Sequence, residues 1–302
     1  MAKSEFRSGF VAIVGRPNVG KSTLMNYMLG QKISITSHKP QTTRHRILGI
    51  KSENAYQAVF IDTPGLHLDA KKAMNRYLNR AASSAMDDVD LVLLVIEAGK
   101  WTEEDDNVLK RLAGGKAPLV LVVNKVDTIK DKETLLPELQ GLAGKADFSG
   151  IVPLSARDGK GVADLEKVIV SYLQPGDPIF PEDQITDRSE RFLAAEIVRE
   201  KLMRKLGKEL PYAVTVEIEQ FKEDPERGLL DIAALIWVER DSQKRIVIGK
   251  GGAQLKEIGR LARLDMERLF GEKVFLRLWV KVKEGWSDNE RILGSLGYRD
   301  EF

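Results

Sequence analysis

Short apolar runs alternate with amphipathic segments through the first half of the chain. The runs at residues 10–14, 91–96 and 119–123 have the length of strands and contain no charged residue. Such runs are typical of parallel strands that are buried on both faces of a sheet. The segments at 23–29 and 162–173 have helical spacing instead. Their alternation predicts an α/β fold, in which a mostly parallel sheet carries helices on both faces.

The second half follows a segment that contains three prolines and one glycine between residues 175 and 187. These residue types break regular structure, so the segment is interpreted as a linker. We therefore predict a first domain at residues 1–174, the linker at 175–187, and a smaller second domain at 188–302.

The second domain is predicted to be an α+β unit. Its first helix ends near Leu206, and Asp187 with Glu190 resembles a capping box at the helix start. The order becomes α-β-β-α-α-β if the chain near Gly259 breaks a long helical stretch into two. Alternating or continuous apolar patterns predict strands at residues 211–218, 229–238 and 274–282.

Composition and charge limit the classes of function. The chain of 302 residues has a net charge of +2 and no cysteine. The lack of cysteine excludes disulfides, thiolate zinc sites and cysteine nucleophiles, and it fits a reducing cytosol. We expect no membrane span, since no apolar run approaches about 20 residues, and no signal peptide, since MAKSEFRSGF lacks an apolar region. Residues 240–283 hold 12 Lys or Arg against 5 Asp or Glu, so the positive charge is local.

The first chemical motif is GRPNVGKS at residues 15–22, between an apolar run and a helical segment. It fits the P-loop pattern G-x-x-x-x-G-K-[ST], whose backbone amides cradle nucleotide phosphates at a helix N-terminus. Gly15 and Gly20 let the backbone curl without Cβ clashes. We expect Lys21 to reach the β- and γ-phosphates and Ser22 to place its hydroxyl on Mg²⁺.

Two further segments are placed to contact the γ-phosphate. The polar loop at residues 31–46 contains Thr42 and Thr43, either of which can report the γ-phosphate through Mg²⁺. DTPG begins with Asp62 at the end of an apolar strand, where a carboxylate suits a Mg²⁺ site, and Gly65 allows a close approach of its amide. The candidate Mg²⁺ ligands are Ser22, Thr42, Thr43 and Asp62. The candidate catalytic residues are Lys21, Thr42, Thr43 and Gly65.

NKVD at residues 124–127 is predicted to select the base. Asp127 can accept hydrogen bonds from N1–H and the 2-amino group of guanine, whereas adenine would leave this carboxylate unpaired. Asn124 and Lys125 are expected to brace the loop and cover the ring. A backbone amide of the Ser-Ala-Arg segment at 155–157 can meet guanine O6. The expected nucleotide contacts are Gly15, Arg16, Pro17, Asn18, Val19, Gly20, Lys21, Ser22, Thr23, Asp62, Thr63, Pro64, Gly65, Leu66, Asn124, Lys125, Val126, Asp127, Ser155, Ala156 and Arg157.

GKGG in the basic stretch is the candidate RNA site. It fits the GxxG loop of KH domains, which clamps about four nucleotides of single-stranded RNA. Glycine lets the backbone approach phosphates, and the lysine adds a positive charge. The expected RNA contacts are Gly249, Lys250, Gly251 and Gly252.

Three tryptophans of the second domain give a weaker indication of RNA binding. Trp237, Trp279 and Trp286 can stack bases, although tryptophans of strands belong more often to a core.

The four nucleotide motifs, which are GRPNVGKS, DTPG, NKVD and Ser-Ala-Arg, are together typical of Ras-like GTPases.

The chain resembles the Era family of bacterial GTPases in motif order, spacing and length, over nearly all of its residues. This family joins a Ras-like GTPase domain to a C-terminal KH domain of type II. The resemblance implies Mg²⁺-dependent GTP hydrolysis, binding to single-stranded RNA of the 16S ribosomal RNA 3′ region, and assembly of the small (30S) ribosomal subunit. It also implies a cytoplasmic monomer with a peripheral contact to the cytoplasmic face of the inner membrane.

Two positions refine this resemblance. Asn18 matches an asparagine with which related GTPases bind K⁺ beside the phosphates. Leu66 stands where Ras has a glutamine that orients water. Leucine cannot hold water by hydrogen bonding, and Era-like GTPases share the departure, so we expect slow intrinsic turnover.

Two other classes of function fit part of the sequence. A signalling GTPase whose C-terminal domain binds a protein or a membrane would make GKGG incidental, but the basic stretch argues against it. An RNA-binding adaptor with an inactive nucleotide fold conflicts with the complete set of nucleotide motifs.

Overall fold

The computed structural model describes residues 6–39, 41–65, 73–84, 88–207, 210–296 and 298. Leu66, one of the expected nucleotide contacts, lies outside the described residues. Among the residues that are described, no helix has both the length and the apolar character that crossing a membrane requires.

The first part of the chain alternates strands and helices, as the apolar pattern predicts. The elements are β1 (Arg7–Val14), α1 (Lys21–Leu29), β2 (Ile47–Glu53), β3 (Tyr56–Asp62), α2 (Ala73–Ser84), β4 (Leu91–Glu97), α3 (Glu103–Leu112), β5 (Leu119–Asn124), α4 (Leu135–Ala143), β6 (Gly150–Pro153), α5 (Val162–Tyr172) and β7 (Gln174–Pro175). Among the described residues, all strand pairings here are parallel except β2 with β3 and β1 with β7. The sheet order is β2-β3-β1-β4-β5-β6, with β7 beside β1.

The sheet is buried on both faces. In β1, Val11 and Ile13 belong to one apolar cluster, whereas Ala12 and Val14 belong to another. Since successive side chains of a strand point to opposite faces, these two clusters are the cores beneath the two layers of helices. The predicted α/β architecture is confirmed.

Parallel pairing brings three motifs to one edge of this sheet. The carboxyl end of β1 leads into residues 15–22, β3 ends at Asp62, and β5 ends at Asn124. Because β1 lies between β3 and β4, and β5 lies next to β4, these ends are neighbours in space. Ligands bind at this edge in open α/β sheets.

The second part has the order α-β-β-α-α-β that the sequence predicts, followed by a short helix. The elements are α6 (Glu190–Lys205), β8 (Val214–Asp224), β9 (Leu229–Val238), α7 (Asp241–Ile248), α8 (Ala253–Phe270), β10 (Val274–Val282) and α9 (Glu290–Ser295). The three strands form a sheet in the order β10-β9-β8, in which β9 runs parallel to β10 and antiparallel to β8. This arrangement confirms the predicted KH fold of type II.

The break between the two central helices lies at residues 249–252, and not near Gly259 as expected. Gly249, with a φ angle of 73°, caps the end of α7, and Gly252, with a φ angle of 78°, caps the start of α8. Gly251 between them also has a positive φ angle, of 60°. Gly259 lies inside the continuous α8, where a Cβ would lie 3.3 Å from Cδ1 of Leu278. The missing side chain of Gly259 therefore lets α8 pack closely on β10.

The predicted capping box at the start of α6 is wrong. The N-cap is Ser189, whose side chain accepts a hydrogen bond from the amide of Phe192. Asp187 instead accepts a hydrogen bond from the amide of Leu48 in β2, at 3.1 Å. The amide of Ile50 also donates to the carbonyl of Ile185, at 2.9 Å. The segment predicted as a linker therefore packs along the edge of the first sheet. The boundaries of the domains stay a prediction.

A candidate nucleotide site and a candidate RNA-binding loop

The P-loop is fitted closely to the sheet edge. Gly15 has a φ angle of 149°, and a Cβ there would lie 2.3 Å from the carbonyl oxygen of Val95. Gly20 has a φ angle of 103°, and its Cβ would lie 2.3 Å from Nδ2 of Asn124. Only glycine fits both the backbone conformation and the space, so the sequence requirement at these positions has a steric cause.

Lys21 lies inside the curve of this loop. Its ammonium donates hydrogen bonds to the carbonyls of Gly15 and Arg16, at 2.8 and 2.9 Å. Burial lowers the pKa of Lys21 from 10.5 to about 8, although nearby Asp62 raises it in part. Lys21 forms no ion pair with a carboxylate of the described residues, so its buried ammonium is suited to receive phosphate oxygens, which would stabilise its charged form.

Three oxygen side chains meet at the start of α1. Oγ of Ser22 donates to Oδ2 of Asp62 at 2.7 Å and lies 2.9 Å from Oγ1 of Thr43. Asp62 also accepts a hydrogen bond from Ser34, at 2.7 Å, a contact that no motif indicated. The second carboxylate oxygen, Oδ1, is buried and has no hydrogen-bond partner among the described residues. Two hydroxyls and a carboxylate with a free oxygen form a donor set that fits Mg²⁺.

Burial raises the pKa of Asp62, and hydrogen bonds from Ser22 and Ser34 offset this effect in part. A buried carboxylate is costly without a positive partner. A divalent cation would supply that partner and stabilise the charged form.

The two candidate threonines have different surroundings. Thr43 is 7% exposed and contacts Ser22 as described. Oγ1 of Thr42 instead donates to the carbonyl of Lys39 at 2.6 Å and lies 2.8 Å from Oγ of Ser37. The structure thus places Thr43, and not Thr42, beside the other cation donors.

DTPG closes the phosphate end of the site. Oγ1 of Thr63 donates to the carbonyl of Ile13 in β1, at 3.0 Å. A Cβ on Gly65 would lie 2.9 Å from the backbone nitrogen of Pro17. Gly65 therefore lies against the P-loop at a distance that a larger residue would not allow.

The other end of the site is held together by Asn124. Its Nδ2 donates to the carbonyl of Val19, at 2.8 Å. Its Oδ1 accepts hydrogen bonds from the amides of Lys125 and Ala156, at 2.7 and 2.9 Å. One side chain thus joins the P-loop, NKVD and the Ser-Ala-Arg segment. The ammonium of Lys125 is fixed by Glu97 of β4, at 2.9 Å.

Both carboxylate oxygens of Asp127 are paired with donors of the Ser-Ala-Arg segment. Oδ1 accepts a hydrogen bond from Ser155 at 2.6 Å, and Oδ2 pairs with Nη2 of Arg157 at 3.0 Å. The side chain of Arg157 is 71% exposed, whereas that of Asp127 is 10% exposed. Arg157 can therefore move into solvent, and the donors of a guanine edge can take its place.

These motifs line one cavity of about 760 Å³, which is within the usual range for small-molecule sites. Thr36, Ser37 and Thr42 of the loop at 31–46 also line it. Met203 and Arg204 line it as well, although they belong to α6 of the second part. Local sequence patterns gave no sign that α6 reaches this site.

Arginine side chains bind the loop at 31–46 to the second part, because they donate hydrogen bonds to main-chain carbonyls across the contact. The guanidinium of Arg204 donates to the carbonyl of Thr36, at 3.0 and 3.1 Å. The buried guanidinium of Arg44 donates to the carbonyl of Val214, at 2.8 Å. Arg199 of α6 donates to the carbonyl of Thr42.

GKGG forms an exposed turn between α7 and α8. A Cβ on Gly251 or Gly252 would meet no atom within 4 Å, so both positions face open space. A Cβ on Gly249 would lie 2.7 Å from Cβ of Gln254, so that glycine is needed for packing. Lys250 is exposed. A groove of about 450 Å³ begins beside the turn and is lined by Gly252, Leu255, Lys256, Gly259, Arg260, Arg263, Leu276 and Leu278.

The three tryptophans occupy two kinds of environment. Trp286 is fully buried against Tyr298, Met74 and other apolar residues. Trp279 is 43% exposed and Trp237 is partly exposed, so these two are not core residues.

Two protein families match this chain. The model of a family described as 50S ribosome-binding GTPase matches residues 10–125, and a KH domain model matches residues 209–287. The second match covers GKGG and the sheet of the second part.

Curated relatives are similar over almost the whole chain. The GTPase Era of Glaesserella parasuis serovar 5 is 61% identical over 293 residues, which cover 97% of each chain. The GTPase Era of Haemophilus influenzae has the same identity and coverage.

Solved structures are similar over the same length. A crystal structure of an Aquifex aeolicus Era variant bound to GDP·AlF₄⁻ matches with a TM-score of 0.94 and 40% identity. A crystal structure of Era in complex with MgGDPNP and nucleotides 1506–1542 of 16S ribosomal RNA matches with the same values. Each match covers 97% of this chain and 99% of the other.

Proposed function

The chain belongs to the Era family of GTPases, and on that premise we propose that it hydrolyses GTP to GDP and phosphate while it binds single-stranded RNA of the 16S ribosomal RNA 3′ region. The process that it serves is assembly of the small ribosomal subunit. The similar structures with GDP·AlF₄⁻ and with a 16S ribosomal RNA fragment support both halves of the proposal.

The observation that carries this proposal is the shared wall of the nucleotide cavity. One cavity is lined by residues of the phosphate loop, by the cation donors Ser22 and Thr43, and by Asp127, and α6 contributes Met203 and Arg204 to the same cavity. Since α6 also packs on α8, which follows GKGG, the nucleotide and the RNA loop are connected through one helix.

In the proposed reaction the protein acts by positioning and by charge. Lys21 and the P-loop amides bind the β- and γ-phosphates, and the amide of Gly65 stabilises negative charge that develops on the γ-phosphate. Ser22, Thr43 and Asp62 would hold Mg²⁺, which would neutralise phosphate charge when bound. Asp127 selects guanine after Arg157 has moved aside.

Three finer parts of the proposal rest on the family resemblance. K⁺ binds beside the phosphates through Asn18, whose backbone adopts a φ of 65° at the cavity wall. Replacement of K⁺ by Na⁺ should then slow hydrolysis, and Asn18→Ala should remove the difference. The monomeric state, and a cytoplasmic location with a peripheral contact to the inner membrane, stay predictions.

The test compares binding of two RNAs by the full chain in its GTP-bound state. We expect the RNA of 16S nucleotides 1506–1542 to bind in the presence of Mg²⁺ and a non-hydrolysable GTP analogue, and a duplex RNA of equal length to bind much more weakly. Crosslinking in cells followed by sequencing should recover the same RNA. If the chain hydrolyses GTP but binds both RNAs equally weakly, the ribosomal half of the proposal is wrong.

The alternative of a signalling GTPase predicts a different outcome of this experiment. Its second part would bind a protein or a membrane, and RNA would be bound weakly and without preference for single strands. The basic groove beside GKGG, with Lys256, Arg260 and Arg263, favours RNA over that alternative.

A further inference from the structure

The sheet of the second part has one open face that the nucleotide and RNA sites do not use. Leu276, Leu278 and Val280 of β10 pack into the core beneath the helices. The residues between them point to the opposite face, because side chains alternate along a strand. Phe275 and Trp279 on that face are 41% and 43% exposed. Large apolar side chains that share one open face indicate a binding surface.

Cations lie over the aromatic rings of this face. Cζ of Arg277 is 5.7 Å from the ring centroid of Phe275 and 5.7 Å from that of Trp279. Arg227 covers Phe275 at 5.1 Å. Arg277 is also held by the carboxylate of Asp231, at 2.7 and 2.9 Å, so its planar group is fixed between the two rings.

The neighbouring strand β9 extends this arrangement. Trp237 has Lys281 and Lys283 over its ring, at 5.9 and 5.3 Å. The indole N–H of Trp237 donates to Glu217, at 2.9 Å, which fixes the orientation of the ring. Lys283 forms no ion pair with any of the described residues, so its charge is available to a ligand. We call Phe275, Arg277, Trp279, Trp237 and Lys283 the outer-face strip.

The chemistry of the strip fits a single-stranded nucleic acid. Phe275, Arg277 and Trp279 are alternate residues of one strand, so their planar groups are spaced by about 6.6 Å. Bases splayed out of a single strand stack on aromatic rings and on guanidinium planes, and lysines contact the phosphates between them. An acidic peptide would pair with the cations, but it has no bases to stack on the aromatic rings and the guanidinium.

The position of β10 connects the strip to the RNA groove. β10 is the edge strand of the sheet among the described strands. Its Leu276 and Leu278 line the groove beside GKGG, while Arg277 and Trp279 lie on the other side of the same strand. An RNA that fills the groove and continues across this edge reaches the strip within one strand width.

We propose that RNA leaving the GKGG groove crosses the β10 edge and stacks further bases on the outer-face strip. This inference rests on the proposed RNA binding and adds a second segment of contact to it. The strip then sets the length of single strand that the protein prefers.

The test compares two RNAs with the full chain. One has about four nucleotides, the length that a GxxG loop clamps, and the other extends it to about ten. We expect Trp279→Ala to reduce affinity for the long RNA by about tenfold, as removal of a stacking platform does, and to leave affinity for the short RNA unchanged. Trp279→Phe should retain most of the affinity, and Lys167→Ala on the exposed surface of α5 is the charged surface control.

A measurement on the unchanged protein complements the variants. Long RNA should protect Trp279 and Trp237 from quenching by acrylamide, and short RNA should not. If neither RNA binds the parent chain, the proposed function fails. If both bind but the long RNA gives no protection and is bound equally well by Trp279→Ala, only the strip proposal is wrong. An equal loss for both RNAs in Trp279→Ala would also contradict it, because the strip would then act through the groove.

Discussion

The amide of Thr36 donates a hydrogen bond of 3.0 Å to Oε1 of Glu200, and so joins the wall of the nucleotide cavity to α6. Oε2 of the same carboxylate accepts from the ammonium groups of Lys32 and Lys201, at 2.5 and 2.9 Å. Both lysines also contact Asp265 of α8. The side chain of Glu200 is fully buried. One carboxylate therefore holds the loop, α6 and α8 together.

The first prediction concerns the pH dependence of this junction. Burial alone raises the pKa of Glu200, but the charge and hydrogen bond of Lys32 prevail and lower it below its ordinary value of 4.5. The folded state thus favours the charged form. The charged carboxylate of Glu200 therefore contributes fully to stability above pH 4.5, and this contribution is lost as the pH falls through the lowered pKa of the folded state.

We expect Glu200→Gln to lower the free energy of unfolding at pH 7 by about 2 kcal/mol, because a hydrogen bond to a charged group contributes about 1.5–3 kcal/mol. Denaturant unfolding from pH 7 to pH 3 measures the difference between parent and variant, which should shrink below pH 4.5. Glu53→Gln, on a carboxylate that is 53% exposed, is the control and should change little. A difference that stays constant over this pH range would show that Glu200 acts through shape and not charge.

The second prediction concerns guanine selection. Asp127→Asn should weaken GTP binding and favour xanthosine triphosphate, because xanthine has a carbonyl where guanine has the 2-amino group. Competition binding of the two nucleotides measures the change. An unaltered preference for GTP would remove Asp127 from base recognition.

The variant Arg157→Ala tests whether recognition of guanine depends on the ion pair between Arg157 and Asp127. Exposed ion pairs contribute about 0–1 kcal/mol, so loss of Arg157 should change GTP affinity by less than about fivefold. The preference for guanine over xanthine should be kept. A switch of base preference in this variant would mean that Arg157 itself contacts the base.

The third prediction separates the two threonines of the loop. Thr43→Ala should lose the Mg²⁺-dependent part of affinity for a GTP analogue, as Ser22→Ala should, because both hydroxyls lie in the same donor set. Thr42→Ala is the matched control, since its hydroxyl bonds within a local turn. Titrations with and without Mg²⁺ give the result. Loss of Mg²⁺ dependence in Thr42→Ala alone would reverse the assignment.

The nucleotide motifs could be predicted because their chemistry demands a local pattern. Gly15, Lys21 and Ser22 must follow one another at fixed spacing to surround phosphates, and Asp62 must end a strand. Ser34, Glu200 and Arg204 could not be predicted. Thr36 and Glu200 are 164 residues apart, and a serine or a glutamate has no pattern that reveals such a contact.

The sequence pattern of the second part predicted the fold, but it did not predict the role of each glycine and tryptophan. Glycine breaks a helix at residues 251–252, where φ is positive, yet serves packing at Gly259 within α8. The sequence shows a glycine in each case, and only the fold shows its neighbours. The same holds for tryptophan: Trp286 fills a core, whereas Trp279 lies on the surface.

The last prediction concerns GKGG. Gly251→Asp combined with Gly252→Asp should abolish binding to single-stranded RNA, because the two carboxylates would repel the phosphates that the loop is expected to hold. The protein should still fold, since both positions face open space and the left-handed backbone costs about 1–2 kcal/mol for each added side chain. Nucleotide affinity should be unchanged, because the cavity contains no residue of this turn.

Two other glycines provide a control that matches both the backbone strain and the added charge. Gly271 and Gly285 have φ angles of 74° and 63°, and a Cβ on either would meet no atom within 4 Å. Gly271→Asp combined with Gly285→Asp should therefore cost similar stability, measured as a thermal midpoint, while RNA affinity falls far less. Lys250→Ala should weaken binding mildly and reduce the slope of log affinity against log salt by about one unit or less. If the two double variants lose RNA affinity equally, general charge and not the turn explains the binding, and residues 249–252 are not the RNA loop.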